Sequence, residues 1–259
     1  MEAVGQSSVT RPVRRRARPG RHRPVAEIQA LDHHRSLQGG WARAAVFGVS
    51  DGLVTNVAII LGIAGAHPVG GFVRLAGLAA LVAGAFSMGA GEYVSMRAQI
   101  ELLQRELALE RHEINNRPEG ERRELVRIYE GRGIAPEVAQ QLAEEMMRTP
   151  ELALETHARE ELGINPAALG SPVQAGASSF ATFALGALLP LIPWLLAAGT
   201  GATLASVAIG GVAALGVGAA LAHFTERSWW WSALRQLAFT AIPAAITFGI
   251  GRGIGTAGV

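Results

Sequence analysis

The sequence predicts an all-α, polytopic membrane protein: five transmembrane helices, with a cytoplasmic Glu-rich helical domain inserted between the second and the third. Three observations predict it. Hydrophobic residues make up 49% of the 259 and are clumped into long runs rather than spaced at a helix or strand period. Residues 98–171 interrupt the runs with fifteen glutamates and nine arginines. Residues 1–43 hold nine arginines against Glu2, Glu27 and Asp32, so the net charge of +2 hides two oppositely charged regions. There is no cysteine, which excludes disulfides, thiolate metal sites and a cysteine nucleophile, and leaves carboxylate, imidazole and thioether as metal ligands.

Residues 1–40, with "VTRPVRRRARPGRHRP" at their heart, are rich in Arg and Pro without an apolar period and read as a disordered cytoplasmic tail. A nucleic-acid-binding arm is the lesser reading. Basic residues just before a span hold that end inside the cell, and no nucleic-acid partner is expected. Residues 41–97 carry the first two spans and 172–259 the last three. Runs near the roughly 20 residues needed to cross a bilayer lie at about 43–66, 73–96, 174–198, 202–222 and 233–251. With the N-terminus inside, the arginines of the insert, Arg227 and Arg235 are also inside, and the C-terminus is outside. Gly48 with Gly52, Ala80 with Gly84, and Gly249 with Gly253 have the small-xxx-small spacing that lets helices approach closely in lipid.

Two acidic residues fall inside the expected spans, Asp51 in "GVSDGLVTNVAIILG" and Glu92 in "SMGAGEYVS". A charge in the membrane is costly unless paired, hydrated or neutralised, so both are candidate transport-path residues. Met88 precedes Glu92 by one helical turn and shares its face. Carboxylate oxygens attract divalent cations in general, and a thioether shifts preference from Mg²⁺ and Ca²⁺ toward later transition metals. The bland alternatives are packing for Met88, capping for Asp51 and interfacial solvation for Glu92.

The insert, residues 98–171, reads as four helices at about 98–115, 119–130, 136–147 and 150–162, the first continuing the second span. Glu106, Glu110 and Glu113 share one face, and Glu121 with Glu124 repeats the spacing on the next helix. Carboxylates on facing helices are how bundles hold divalent metals, while a solvated face paired with arginines is the alternative. Glu144, Glu145, Met146, Met147, His157, Glu160 and Glu161 are further donors.

"SDGLVTNVAIILGIAGA" (50–66) and "GAFSMGAGEYVSMRAQ" (84–99), followed by the Glu-rich insert, "HAREELGINP" and "FATFALGALLPLIPWLL", resemble the vacuolar iron transporter family from about residue 40 onward. The resemblance implies a homodimeric secondary transporter, not an enzyme, that exchanges Fe²⁺, and also Mn²⁺, for protons; competition of proton and metal for Asp51 then predicts export from the cytoplasm driven by an inward proton gradient. It implies Asp51 and Met88 in the path, and Glu110, Glu113, Glu121, Glu124 and Glu161 as metal ligands; Glu92, near the inner end of the second span, is the expected relay between the two by its own position. His157 falls where relatives place a methionine ligand, so Met146 or Met147 is the alternative donor. No tightly bound cofactor is expected beyond the transported and domain-bound ion. Plant relatives carry an acidic residue early in the second span, where this chain has only Arg74. Heavy arginine use without lysine points to a bacterial plasma membrane rather than a vacuole. The rival reading is a membrane-anchored iron-binding or ferroxidase module without transport.

Overall fold

The computed structural model describes residues 40–66, 69–166 and 169–257; the arginine-rich segment 1–39 lies outside the described residues. Among the described residues the regular structure is helical. In chain order the helices are α1 (Gly40–Gly65), α2 (Gly70–Asn116), α3 (Pro118–Gly131), α4 (Pro136–Met146), α5 (Pro150–Glu160), α6 (Pro172–Leu196), α7 (Thr200–Thr225) and α8 (Trp229–Thr256). Five of them, α1, α2, α6, α7 and α8, are long and apolar enough to cross a membrane.

Local sequence explains the starts. Proline occupies the first turn of α3, α4, α5 and α6, where its missing N–H has no intrahelical partner to lose. The Thr149 side chain accepts a hydrogen bond from the Leu152 N–H, and Ser171 accepts one from Gln174, capping α5 and α6. No proline or cap interrupts α2 between its span and the first insert helix. Its 47 residues therefore form one rod of about 70 Å, more than twice the roughly 30 Å hydrocarbon thickness. Half of α2 must project from the bilayer; α3 and α5 pack against that projecting half, and α4 packs against α3 and α5.

In the membrane part α1 is central, packed against α6, α8, α2 and α7. Leu53, Val57 and Leu61 meet Ala214 and Ala244 on one side, and Ile60 meets Val73, Leu191 and Trp194 on another. Small residues set the spacing. A Cβ on Gly52 would collide with the Phe183 carbonyl, and one on Gly186 with that of Val49. The third expected glycine pair differs. A Cβ at Gly249 or Gly253 would meet nothing, whereas Gly251 and Gly255 lie against the carbonyls of Gly62 and Ala66. Gly251→Val should therefore lower the thermal unfolding midpoint by several degrees, since overpacking costs about 1–3 kcal/mol, while Gly249→Val should leave it nearly unchanged. Scanning both variants in the same detergent checks this.

Prolines 190 and 193 lie within α6 and leave the carbonyls of Gly186 and Leu189 without their usual N–H donors. Buried side chains from two neighbours bond to this stretch: Asn56 of α1 donates to the Ala187 carbonyl, and Ser206 of α7 to that of Pro190. The outer surface bears Leu75, Val82, Val212, Phe239 and Ile246, all exposed, as a lipid-facing surface requires. Trp229, Trp230 and Trp231 are exposed at the start of α8, a composition suited to the membrane–water boundary.

Candidate functional site

The three residues expected along a path share one cavity. It has a volume of about 350 Å³ and lies between α1 and α2, floored by Phe183 of α6. Phe47, Asp51 and Thr55 line it from α1; Ser87, Met88, Gly91 and Glu92 line it from α2. The first set follows i, i+4, i+8 and the second i, i+1, i+4, i+5, so each helix offers one narrow face. Gly84 permits the Phe183 ring to pack beneath, because a Cβ there would overlap the ring.

Asp51 and Met88 are half-buried. The Thr55 hydroxyl donates to Asp51 Oδ1 at 3.4 Å, a long bond that leaves most of the carboxylate's acceptor capacity open. Met88 also packs against the Ala85, Phe183 and Ala187 cluster, so its thioether is held rather than mobile. Glu92 is not simply solvated: Arg43 Nη2 reaches its Oε1 at 3.1 Å, joining α1 to α2 at the rim. In the sequence Arg43 is the last arginine of the basic N-terminal region, with nothing adjacent to mark it as a partner of Glu92. The signal that marks it is the four-residue repeat Arg43, Phe47, Asp51, Thr55.

The second cluster lies in the insert. α2 supplies Glu110 and Glu113, α3 supplies Glu121, and α5 supplies His157 together with Glu161, the residue that ends it. His157 Nδ1 is 3.0 Å from Glu110 Oε1, 3.5 Å from Glu161 Oε2 and 3.8 Å from Glu121 Oε2. Potential ligand atoms of Glu110, His157 and Glu161 fall within 4.8 Å of one another, as do those of Glu110, Glu113 and Glu121. His157 is fully buried, and Glu110 and Glu121 nearly so. Yet neither ring nitrogen of His157 nor Glu110 Oε1 has a well-formed hydrogen bond. Buried polar atoms normally have partners, so Glu110 Oε1 and the His157 Nδ1 that faces it, with the carboxylates of Glu161 and Glu121 beside them, form a set suited to a shared cation.

Electrostatics agree. Burial, and then the charges of Glu161, Glu121, Glu113 and Glu124, push the Glu110 carboxyl up to about 7. Burial also raises Glu121, against the opposing pull of His157. A dication between them would reverse both terms. Glu124 is close enough to act on Glu110 through charge, although it is in neither close triad.

The other donors named from sequence go elsewhere. Met146 and Met147 pack against Leu125, Tyr129, Ala139 and Ala143 in the apolar core between α3 and α4. The sulfur alternative to His157 is therefore not at the cluster. Glu145 pairs with Arg148, and Glu160 with Arg132, as solvated or interhelical ion pairs. Glu106 is in neither triad.

A bundle of apolar helices with a cavity between two of them that bears ionisable and thioether side chains, joined by one long helix to a carboxylate cluster, defines a multi-pass membrane protein that handles cations. The chain belongs to the VIT family, whose model matches residues 42–252. A protein named vacuolar iron transporter from Acanthamoeba castellanii (strain ATCC 30010 / Neff) is 37% identical over 230 residues, 85% of this chain and 82% of that protein. One named vacuolar iron transporter 1 from Eucalyptus grandis is 32% identical over 237 residues, covering 89% and 95%. Its namesake from Arabidopsis thaliana is 32% identical over 222 residues, covering 84% and 89%.

Proposed function

We propose that this chain is a secondary transporter that exports Fe²⁺, and also Mn²⁺, from the cytoplasm in exchange for protons. The observation that carries the proposal is the convergence of Asp51 of α1 with Met88 and Glu92 of α2 on one intramembrane cavity, α2 being the helix that also bears Glu110 and Glu113. A carboxylate set apart from lipid can hold either a proton or a cation, and that competition is the simplest coupling available to a single site. Oxygen donors with one imidazole suit divalent first-row metals, and Met88 adds softness within the membrane. The relatives' names carry iron.

In this reading the insert faces the cytoplasm, as the arginine distribution favours. Its Glu110, Glu113, Glu121, Glu124, His157 and Glu161 gather metal at low free concentration, and the local negative charge raises cation density near the mouth. Asp51 and Met88 then pass the ion outward. The unit is a homodimer in a bacterial plasma membrane, with the C-terminus outside.

The test is anaerobic Fe²⁺ flux in proteoliposomes with an imposed pH gradient and an enclosed pH dye. Uptake that requires the gradient and moves protons oppositely supports exchange. Iron binding or oxidation without flux would favour the anchored iron-binding module.

A further inference from the structure

Every fourth residue on one face of α1 points to the same cavity: Phe47, Asp51 and Thr55 line it, and Arg43 stands one turn before them. Arg43 closes over the rim. Its side chain is 69% exposed, whereas that of its partner Glu92 is 21% exposed. The guanidinium thus approaches from the open side, and the carboxylate belongs to the cavity wall. Among the described residues Glu92 has this one ion-pair partner, and Arg43 likewise has only Glu92.

We propose that Arg43 is a displaceable counter-ion, which holds Glu92 until a divalent cation takes its place and so sets a charge threshold for entry to the cavity. The proposal rests on the transport reading and deepens it. An ion pair with so exposed an arginine is weak, which makes it exchangeable. A dication brings twice the charge of the guanidinium to Glu92, and the freed arginine is re-solvated. A monovalent cation brings no more charge than the group it must displace, and lacks the directional N–H donors that hold the guanidinium on the carboxylate. The rim therefore sorts cations by charge, while Met88, one turn deeper, sorts them by softness. Arg43 is a positioning residue: it acts on the ion through Glu92.

The sign of two substitutions separates this from a simple staple between α1 and α2. With Arg43→Gln, Glu92 is left free. The apparent KM for Fe²⁺ should fall about fivefold, the scale of one exposed ion pair, and maximal flux should drop because the ion leaves more slowly. Inhibition by a monovalent cation such as K⁺ should strengthen. With Glu92→Gln the KM should rise. A staple predicts KM shifts in the same direction for both variants, with matching losses of thermal stability, and that result would overturn the proposal.

A second readout does not depend on flux. The chain has no cysteine, so Ser87→Cys provides a unique thiol on the cavity wall. Labelling of that thiol by a cationic methanethiosulfonate, with purified protein in lipid nanodiscs, should quicken several-fold when Arg43→Gln is added. An unchanged rate overturns the latch. If no chain, native included, carries iron while labelling still depends on Arg43, the transport reading fails and the latch stands as a guard on a cation-binding cavity.

Discussion

Replacing Glu110 and Glu121 together by glutamine should weaken binding of Mn²⁺, an air-stable probe, to the purified protein by more than about 100-fold, since even outer-shell changes at metal sites cost about 10- to 100-fold. The same change should make the metal-free protein more stable near pH 8. A variant that loses function through misfolding cannot do this. Glutamine keeps the volume and polarity of the side chain but removes two charges from a cluster where burial and neighbouring carboxylates oppose ionisation. The sign follows from linkage. Glu110 titrates near 7 in the fold against 4.5 unpaired, so between those values the folded protein holds a proton that the unfolded chain has released. Stability is full below about pH 4.5 and declines as pH rises through about 7. Above that the fold carries the whole cost of ionised Glu110, on the order of 3 kcal/mol for a shift of this size.

Bound metal removes that cost. Thermal scans should therefore show Mn²⁺ raising the unfolding midpoint strongly at pH 8 and weakly at pH 5, where protons occupy the cluster instead. In the double glutamine variant both the pH slope and the Mn²⁺ effect should flatten. A native protein whose midpoint does not respond to Mn²⁺ at pH 8 would count against a metal site in the insert. His157→Leu is the complementary variant. It keeps the carboxylates and removes the nitrogen donor that sits nearest Glu110, so it should lose affinity while retaining the pH slope.

Much of this arrangement was legible in the chain because membranes and metals both constrain residue type. The spans are visible as apolar runs, and a carboxylate inside one, as at Asp51, is conspicuous because it is expensive. The continuity of α2 was also readable, since nothing between Glu92 and Glu106 would end a helix. Packing partners were less so. "GIGRGIG" offers the small-xxx-small spacing twice, and only the position of α1 selects Gly251 and Gly255 over Gly249 and Gly253. Met146 and Met147 stood beside glutamates in sequence, yet they continue the apolar stripe of Ala139 and Ala143 into the α3–α4 core. The periodicity of α4 alone places both methionines on that stripe. Arg43 was absorbed into the charge of the N-terminal region, because its partner lies 49 residues away on another helix. Glu110 and His157 could each be named as donors, but their 3.0 Å approach depends on how α5 folds back onto α2.

Asp51→Asn should reduce Fe²⁺ flux by at least about 100-fold while leaving metal binding by the insert and the thermal midpoint near native. Placing a charge in the membrane costs about 2.5–3.5 kcal/mol per side chain even on insertion scales, and a dication without a carboxylate meets a barrier of at least that size, equivalent to some two orders of magnitude. The asparagine preserves shape and can still accept the Thr55 hydrogen bond, so α1 retains its packing against α6. What disappears is the one group facing the cavity from α1 that can be neutral when protonated and negative when not. Proton movement should therefore vanish together with iron movement. Residual iron flux with normal proton exchange would place the coupling site elsewhere. Thr55→Val provides the control, with a loss of only a few-fold, because its single 3.4 Å contact orients Asp51 without supplying charge. Met88→Leu should separate selectivity from coupling: it retains the volume that fills the space beside Phe183 but removes the sulfur. Fe²⁺ flux should then persist at a reduced rate, with the preference over Mg²⁺ and Ca²⁺ narrowed and proton exchange intact. If Met88→Leu instead abolished proton movement while Asp51→Asn did not, the division between a carboxylate that couples and a thioether that selects would be reversed.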